Sequence, residues 1–481
     1  MMKRLINWIK VLGSMIVLVF FASAVFITAS HYFRDEPLGE KVTLDLLDDN
    51  SLDVVAFGSS QMQYSFSPEM FKEMSGLNAL VMGSGCQNFS VTVAAMNTMF
   101  ETQSPKYVIV DVFTATQEAY NACYSDAMVY HGSLLTNDNY RIDALKGIKD
   151  NNPDNYYDYV FDLSFNHNKW KELTLDDKKE SNDDYFFGYV PQAFDGTYDY
   201  IPVMVYSDKV VEPSDLIKEY IDQMVDICKQ HNSQLVLVKV PADLKDDDQA
   251  LVRGMLEYGE SKGALTANYI DTASDINWFI GRDGDTYHNN IWGAYKVTKA
   301  ISQLLMEDDP NLTASISDAY LDCHYRKALD ALSLSLVNRN DDIYLYMEQI
   351  DKLNLNAVLL YKRNKRNIMQ ESEFSMLEAI GFDATPLANN KSSVQVVNDR
   401  GELVFSDTLV DSIKIDNLSI EINDDHIVYA GKPYYFNHDN FVLVVFNPTS
   451  KQAVVNSVDT KNQIYFWSSA CYEKPCEFVS Q

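Results

Sequence analysis

The chain has 481 residues, and its 39 basic side chains against 69 acidic ones give a formal net charge of −30. This length is too great for one small domain, so two or three folded units are expected. Hydrophobic residues make up 46% of the chain and aromatic residues 12%, which excludes global disorder. A chain this acidic cannot neutralise phosphates, which argues against nucleic acid as a partner.

The N-terminal segment carries an uncharged apolar run from Val11 to Ser30, long enough to span a bilayer as a helix. Three basic residues precede this run, so the positive-inside bias predicts a cytoplasmic N-terminus and an extracytoplasmic remainder. A cleaved signal peptide is the alternative, because Ala22–Ala24 resembles a cleavage site. The run continues past Ala24, longer than a typical signal-peptide core. We therefore expect residues 1–34 to form a signal anchor of a single-pass cell-membrane protein.

Short apolar segments alternate with helical patterns along residues 35–306, which implies a parallel sheet covered on both faces. An Asn-, Asp- and Tyr-rich stretch at about 117–211 interrupts this rhythm and is interpreted as an insertion. The strands are predicted at 52–57, 77–82, 107–113, 235–240 and 268–271, and the helices at 68–74, 90–102, 213–230, 247–262 and 290–306.

The second half of the chain has a different character. A charged, proline-containing segment predicts a linker at 307–316, and residues 317–481 are predicted to form a C-terminal α+β domain. Its predicted helices are at 317–337 and 341–352, and its predicted strands are at 357–362, 394–397, 403–405, 419–422, 434–436 and 441–446.

Cysteine and histidine spacing predicts no metal site and no cofactor. The six cysteines are sparse, and only Cys471 and Cys476 lie close together. A disulfide between these two and a pair of free thiols are both consistent with the sequence.

Two short motifs in the α/β unit carry the residue types of nucleophilic catalysis. Gly58-Ser59-Ser60 ends the first predicted strand, and sites of parallel sheets gather at that end. Asp285 lies three residues before His288, so it can orient that imidazole, and His288 can take the Ser60 proton. Backbone amides around Gly83 and Gly85 are the natural oxyanion donors. Each motif is weak alone, and their joint occurrence in the first and last elements of one unit predicts a serine-type site.

These residues carry a resemblance to a known family. The segments DVVAFGSSQMQYSFSP, NALVMGSGCQ and DTYHNNIWGAYKVT resemble the SGNH/GDSL hydrolase superfamily across about residues 50–306. They are most similar to its membrane-anchored envelope-acylation members, such as the D-alanyl-lipoteichoic acid transfer protein and the alginate O-acetylation proteins. The resemblance implies a flavodoxin-like three-layer α/β domain with Ser60 as nucleophile, His288 as base and Asp285 as its partner. It implies Gly83, with Gly85 as the second candidate, as an oxyanion donor beside the Ser60 amide.

The chain departs from this family in its third motif, where an Asn oxyanion donor is expected after the third strand. The sequence there reads YVIVDVFTATQ, with no Asn before Asn121. Gln87 is a candidate substitute donor, and its alternative role is that of an ordinary residue leading into a helix. In the insertion, His167 and Trp170 are candidate substrate-binding residues, because similar residues occur in related envelope proteins and Trp suits sugar stacking. Trp170 as an anchor of the insertion is the alternative.

The C-terminal half resembles the interleukin-like EMT inducer fold through AVLLYKRN, FSMLEAIGF, VQVVNDRG and KPYYFNHDNFVLVVFNPTSKQAVVNSVDT. This resemblance implies a carbohydrate- or protein-binding accessory domain. Together the two resemblances imply an extracytoplasmic serine esterase or O-acyltransferase acting on cell-surface polysaccharide or teichoic acid, with a membrane-bound acyl donor protein as a partner. The alternative is a noncatalytic envelope assembly or glycan-binding protein with a degenerate hydrolase fold.

Overall fold

The computed structural model contains an apolar N-terminal helix, a parallel sheet and, later in the chain, antiparallel sheets. The predicted helix at 341–352 and most of that at 317–337 lie outside the described residues. The described residues are 2–32, 34–116, 125–161, 186–191, 208–276, 278, 284, 287–314, 321, 325, 328, 356–362, 371–398, 400–408, 410–415, 418–423, 426–435, 441–447, 452–458 and 465–466.

The N-terminal apolar run forms helix α1 at Met2–Tyr32. Between Asn7 and Ser30 this helix has 24 residues that are apolar enough to cross a membrane. Its most apolar part is not buried against the rest of the protein, whereas Ser30 at its end is buried. A helix that makes so few internal contacts gains little from protein packing, and a bilayer satisfies its apolar surface. Its length and composition therefore suit a membrane span or signal anchor.

The first half of the chain folds around a five-stranded parallel sheet, which confirms the predicted α/β class. The strand order is β2-β1-β3-β4-β5, a doubly wound order whose ligand sites lie where β1 and β3 diverge at their carboxyl ends. The apolar runs of the first four strands are buried almost throughout, as expected for a sheet covered on both faces. The strands are β1 (Val54–Gly58), β2 (Ala79–Gly83), β3 (Tyr107–Asp111), β4 (Gln234–Lys239) and β5 (Leu265–Asn268).

Helices cover both faces of this sheet. One face packs α2, α5, α10 and α11 in a single apolar cluster, and the other packs α3, α4 and α12. Sequence analysis did not predict α2, whose short pattern lies between the anchor and the first strand. The helices of this layered unit are α2 (Gly39–Leu46), α3 (Ser60–Gln63), α4 (Pro68–Ser75), α5 (Phe89–Met99), α10 (Asp215–Gln230), α11 (Asp246–Ser261) and α12 (Ile291–Asp308).

The described part of the 117–211 stretch packs onto the sheet unit. Four short helices lie against α5 through a small apolar cluster that includes Val91 and Ala94. Farther along, the Phe187 carbonyl accepts a hydrogen bond from the Val81 amide on β2. A side chain at Gly188 would collide with the Val81 carbonyl at 1.9 Å, so glycine permits this close approach. The four helices are α6 (Asp126–Ser133), α7 (Asp138–Ala144), α8 (Lys146–Asn151) and α9 (Tyr156–Val160).

The second half contains a six-stranded sheet of order β15-β14-β13-β6-β7-β8 and a four-stranded sheet of order β12-β11-β10-β9. Every strand pair described there is antiparallel. Its helices are α13 (Glu371–Ile380) and α14 (Thr385–Ala388), and its strands are β6 (Asn356–Tyr361), β7 (Ser393–Val397), β8 (Leu403–Asp407), β9 (Ser412–Ile415), β10 (Leu418–Ile422), β11 (His426–Tyr429), β12 (Lys432–Tyr435), β13 (Phe441–Asn447), β14 (Gln452–Val458) and β15 (Tyr465–Phe466).

Candidate active site

The candidate nucleophile Ser60 lies on a tight connection between β1 and α3. Strand β1 ends at Gly58, where an added Cβ would lie 2.9 Å from the Cβ of Met62 and 3.2 Å from that of Asp111. Ser59 caps the helix by accepting a hydrogen bond from the Gln61 amide at 3.2 Å. Ser60 is therefore the first helical residue, at the carboxyl edge of the sheet, and it is half-buried.

The candidate base His288 lies directly beside Ser60. The Ser60 Oγ and the His288 Nε2 are 2.9 Å apart, a hydrogen-bond distance between two groups that are far apart in sequence. The ring of Tyr64 lies 4.7 Å from the imidazole, measured between centroids, and borders the pair. His288 is half-buried, so the two polar groups lie at the surface of the unit and within reach of a substrate.

The segment that carries His288 is held in place by its neighbour Asn289, which is buried. The Asn289 Nδ2 donates to the Ser65 Oγ at 2.7 Å, and its Oδ1 accepts from the Trp278 Nε1 at 2.6 Å. Ser65 follows α3 and Trp278 is buried beneath the segment, so these bonds join the base to the element that carries the nucleophile. The Asn290 side chain then accepts from the Gly293 amide at 3.1 Å, close to the start of α12.

The loop of residues 83–87, called the glycine loop here, follows β2 beside β1. Gly83 is paired with Gly58 in the sheet, and its carbonyl accepts from the Gln63 Nε2 at 3.2 Å. Gly85 is half-exposed and has open space where a Cβ would lie. Within the described part of the chain, the amides of Ser60 and Gly85 donate to no protein acceptor. Both are thus available to a bound oxygen, as oxyanion donors must be.

Two further residues fix the glycine loop. The Gln87 Nε2 donates to the Met82 carbonyl at 3.3 Å and to the Thr92 Oγ1 at 3.1 Å. Because both bonds occupy this buried amide, the geometry does not favour Gln87 as an oxyanion donor, and that role stays a prediction. Cys86 is disulfide-bonded. Sequence analysis did not predict a disulfide at this position.

A buried ionic group lies under the nucleophile helix. Lys239 ends β4 and is fully buried, and its Nζ donates to the Gln61 Oε1 at 2.5 Å and to the Val240 carbonyl at 2.6 Å. The Asp111 carboxylate, at the end of β3, lies 3.8 Å from this ammonium. Asp111 also accepts from the amides of Val240 and Phe113. Lys239 therefore connects α3, next to Ser60, to the ends of two neighbouring strands.

Burial dominates the charge state of this group. Burial lowers the pKa of Lys239 to about 8, although the nearby Asp111 charge opposes the shift. Burial likewise raises the pKa of Asp111, against the Lys239 charge and two backbone hydrogen bonds. Sequence analysis missed both residues. The sequence did contain one indication of both residues. Each is a charged residue at the end of an otherwise apolar strand, at the edge of the sheet that carries the site: Asp111 in IVD and Lys239 in LVK.

Several predicted site residues lie outside the described part of the chain. These are Asp285, His167, Trp170 and the pair Cys471 and Cys476. Among the residues that the structure describes, no three His, Cys, Asp or Glu side chains are grouped so as to hold a metal ion. The described geometry therefore brings together Ser60, His288 and the glycine loop.

Comparison with known proteins does not identify a family. No protein-family model matches this chain. No curated protein of significantly similar sequence is found either. The candidate site is therefore interpreted from its own residues and geometry.

Proposed function

We propose that this protein is a membrane-anchored serine esterase or O-acyltransferase of the SGNH type that acts outside the cytoplasm. The observation that carries the proposal is the 2.9 Å contact between the Ser60 Oγ and the His288 Nε2. A serine hydroxyl on a strand-to-helix turn, hydrogen-bonded to an imidazole, is the core of a nucleophile–base pair. The parallel sheet and its strand order support the same assignment, because the pair lies at the edge where such sheets bind ligands.

In the proposed reaction, His288 accepts the hydroxyl proton of Ser60 while the Ser60 Oγ attacks the carbonyl carbon of an ester. The amides of Ser60 and the glycine loop donate hydrogen bonds to the oxyanion that forms. His288 then gives the proton to the departing alcohol, which leaves an acyl group on Ser60. Water or a sugar hydroxyl attacks this acyl group and returns the proton through His288. Asp285 would orient the His288 ring, as the resemblance implies.

The proposed substrate is an O-acyl ester on a cell-surface glycan or teichoic acid, with a membrane-bound protein as acyl donor in the transfer reaction. The apolar helix α1 and the disulfide at Cys86 support an extracytoplasmic location, because disulfides persist in oxidising compartments. The net charge of −30 disfavours capture of a bare polyanion. An uncharged acceptor, or one that carries cationic esters, fits this charge better.

A noncatalytic glycan-binding or assembly role is the second candidate. The observation that favours it is the absence of an Asn in the third motif, together with the use of the Gln87 amide to hold the glycine loop. Loss of one oxyanion donor slows acyl transfer by about 10²–10³-fold. A site weakened in this way would bind acylated glycans without turning them over.

Substitution of Ser60 tests the proposal. We expect Ser60→Ala to abolish turnover of p-nitrophenyl acetate, because the substitution removes the proposed nucleophile. Ser75→Ala is the matched control, since that hydroxyl donates to the Phe71 carbonyl on α4 and plays no part in the proposed reaction. Circular dichroism would check that both variants fold. Full activity in Ser60→Ala would contradict the catalytic assignment.

A further inference from the structure

Helix α9 exposes two aromatic rings on one side. Tyr157 is 66% exposed and Phe161, at the end of the helix, is 42% exposed. The Phe161 amide donates to the Tyr157 carbonyl at 3.1 Å, a helical turn that puts both side chains on the same face. The other apolar side chains of α9, Tyr156, Tyr159 and Val160, are half-buried and pack against the cluster on α5. The exposed rings are thus held on a helix that is fixed to the sheet unit.

Phe161, one ring of this face, lies against the apolar N-terminal helix. The rings of Phe161 and Phe26 meet edge-on with their centroids 5.7 Å apart. Ser30 ends the stretch that suits a membrane span, and Phe26 lies four residues before it. At the rise of an α-helix, four residues correspond to about 6 Å along the helix axis. In a bilayer spanned by α1, a residue that contacts Phe26 would therefore lie close to the membrane interface.

Two contacts hold the chain at this position after it leaves α1. Arg34 forms an ion pair with Asp138 in the first turn of α7. The Leu38 amide donates to the Leu134 carbonyl at 3.4 Å. These contacts join the end of α1 to the same group of helices that carries α9, so α9 stays close to the end of α1.

We propose that the face of Tyr157 and Phe161 rests in the interfacial region of the bilayer that α1 spans. The inference requires α1 to be a membrane span and does not depend on the proposed enzyme activity. The bilayer is the occupant because the face continues directly from the span, and aromatic rings with a polar edge favour the headgroup level. Neighbouring charges on α9 and the preceding turn, Asp154 and Asp158, are acidic, so apolar contact supplies the attraction and anionic lipid is not required.

Fluorescence quenching by brominated lipid tests this surface. Full-length Tyr157→Trp and, separately, Phe161→Trp are placed in nanodiscs of phosphatidylcholine with bromine on the upper acyl carbons. The emission of the unsubstituted protein is subtracted to remove its native tryptophans. We expect the added emission to be largely lost in brominated lipid, to resist aqueous iodide, and to change little when anionic lipid is added.

Met306→Trp is the matched control, since Met306 is 39% exposed on α12, across the sheet from α5. The proposal would be overturned if aqueous iodide quenches the added emission of Tyr157→Trp and Phe161→Trp, and if brominated lipid quenches it no more than it quenches the added emission of Met306→Trp. Failure of the chain to enter nanodiscs would overturn the proposal together with the membrane anchor. Ester turnover, measured on the same samples, reports separately on the proposed function.

Discussion

Lys239 is a fully buried cation beside the helix that carries Ser60. Its counter-charge Asp111 is equally buried, so removal of the lysine alone leaves a carboxylate without its partner. Loss of one member of a buried pair costs about 3–5 kcal/mol of stability. Lys239→Met is therefore expected to destabilise the fold and to loosen Gln61, the neighbour of Ser60. The double variant with Asp111→Asn is expected to recover part of the lost stability.

The lowered pKa of Lys239 makes the free energy of unfolding depend on pH. Burial lowers that pKa to about 8, against an ordinary value of about 10.4. Between these values the unfolded chain binds more protons at this site than the folded chain, so the free energy of unfolding rises with pH. Above about pH 8, we expect the difference in unfolding free energy between the unsubstituted protein and Lys239→Met to grow by roughly 1 kcal/mol per pH unit.

Urea unfolding of both proteins in the same detergent, at about pH 7.5 and about pH 9.5, measures this difference across the window in which the lysine titrates. Groups that do not interact with Lys239 titrate alike in both proteins and cancel in the comparison. Equal pH dependence in the two proteins would show that Lys239 does not lose its proton in this range.

Sequence reasoning identified Ser60 and His288 because each lies in a short motif at a predicted element boundary. It missed Lys239 and Asp111 because each looks like an ordinary polar residue at the end of an apolar strand. Their interaction depends on the pairing of β3 with β4 and on the packing of α3 above them. Neither of these tertiary features follows from local sequence.

At the scale of elements, the contact between α3 and the glycine loop positions the nucleophile. A Cβ at Gly83 would lie 2.7 Å from the Gln63 Cγ and 3.1 Å from the Gly58 carbonyl. Gln63 cannot easily yield, because its amide donates to Glu40 as well as to Gly83. Since Gln63 ends the helix that begins at Ser60, Gly83→Ala would displace the nucleophile. Displacement by about 1 Å can cost 10²-fold in rate.

The two glycines of the loop therefore form a matched pair of variants. We expect Gly83→Ala to lower kcat/KM for p-nitrophenyl acetate by roughly tenfold or more. Gly85→Ala is expected to stay close to the unsubstituted enzyme, because its position faces open space. Equal effects of the two substitutions would contradict the assigned packing of α3 on Gly83.

The elements themselves were predictable to different degrees. Strands β1 to β4 were predicted because each is a continuous apolar run that ends near a Gly or a charged residue. Strand β5 was predicted at 268–271 and lies instead at Leu265–Asn268, a correction explained by Gly263. Gly263 has a positive φ of +95° and ends the preceding turn, so the strand begins earlier than predicted. The residues of β5 are half-buried and form only a weak apolar pattern. Several short strands of the C-terminal sheets, such as β9, β11 and β14, were missed for the same lack of a long apolar run.

For the whole molecule, we propose that the apolar helix α1 ties an acidic folded part to a membrane at one end. In this proposal the anchor is uncleaved and residues 1–34 remain in the mature protein, because the apolar run is longer than a typical signal-peptide core. We expect intact-mass spectrometry of protein purified from membranes to give a mass that includes this segment. A mature protein that begins after Ala24 would contradict the anchor and agree with the signal-peptide alternative.

Reactivity of Ser60 toward a fluorophosphonate ester probe is the sharpest test of the proposed nucleophile, because such probes form a covalent bond only with an activated serine. Digestion and mass spectrometry would locate the label in the full-length protein. We expect a label on Ser60 that is lost in His288→Ala and retained in Ser75→Ala. A folded protein without label on Ser60, or with equal label after His288→Ala, would contradict the enzyme assignment and favour the binding role.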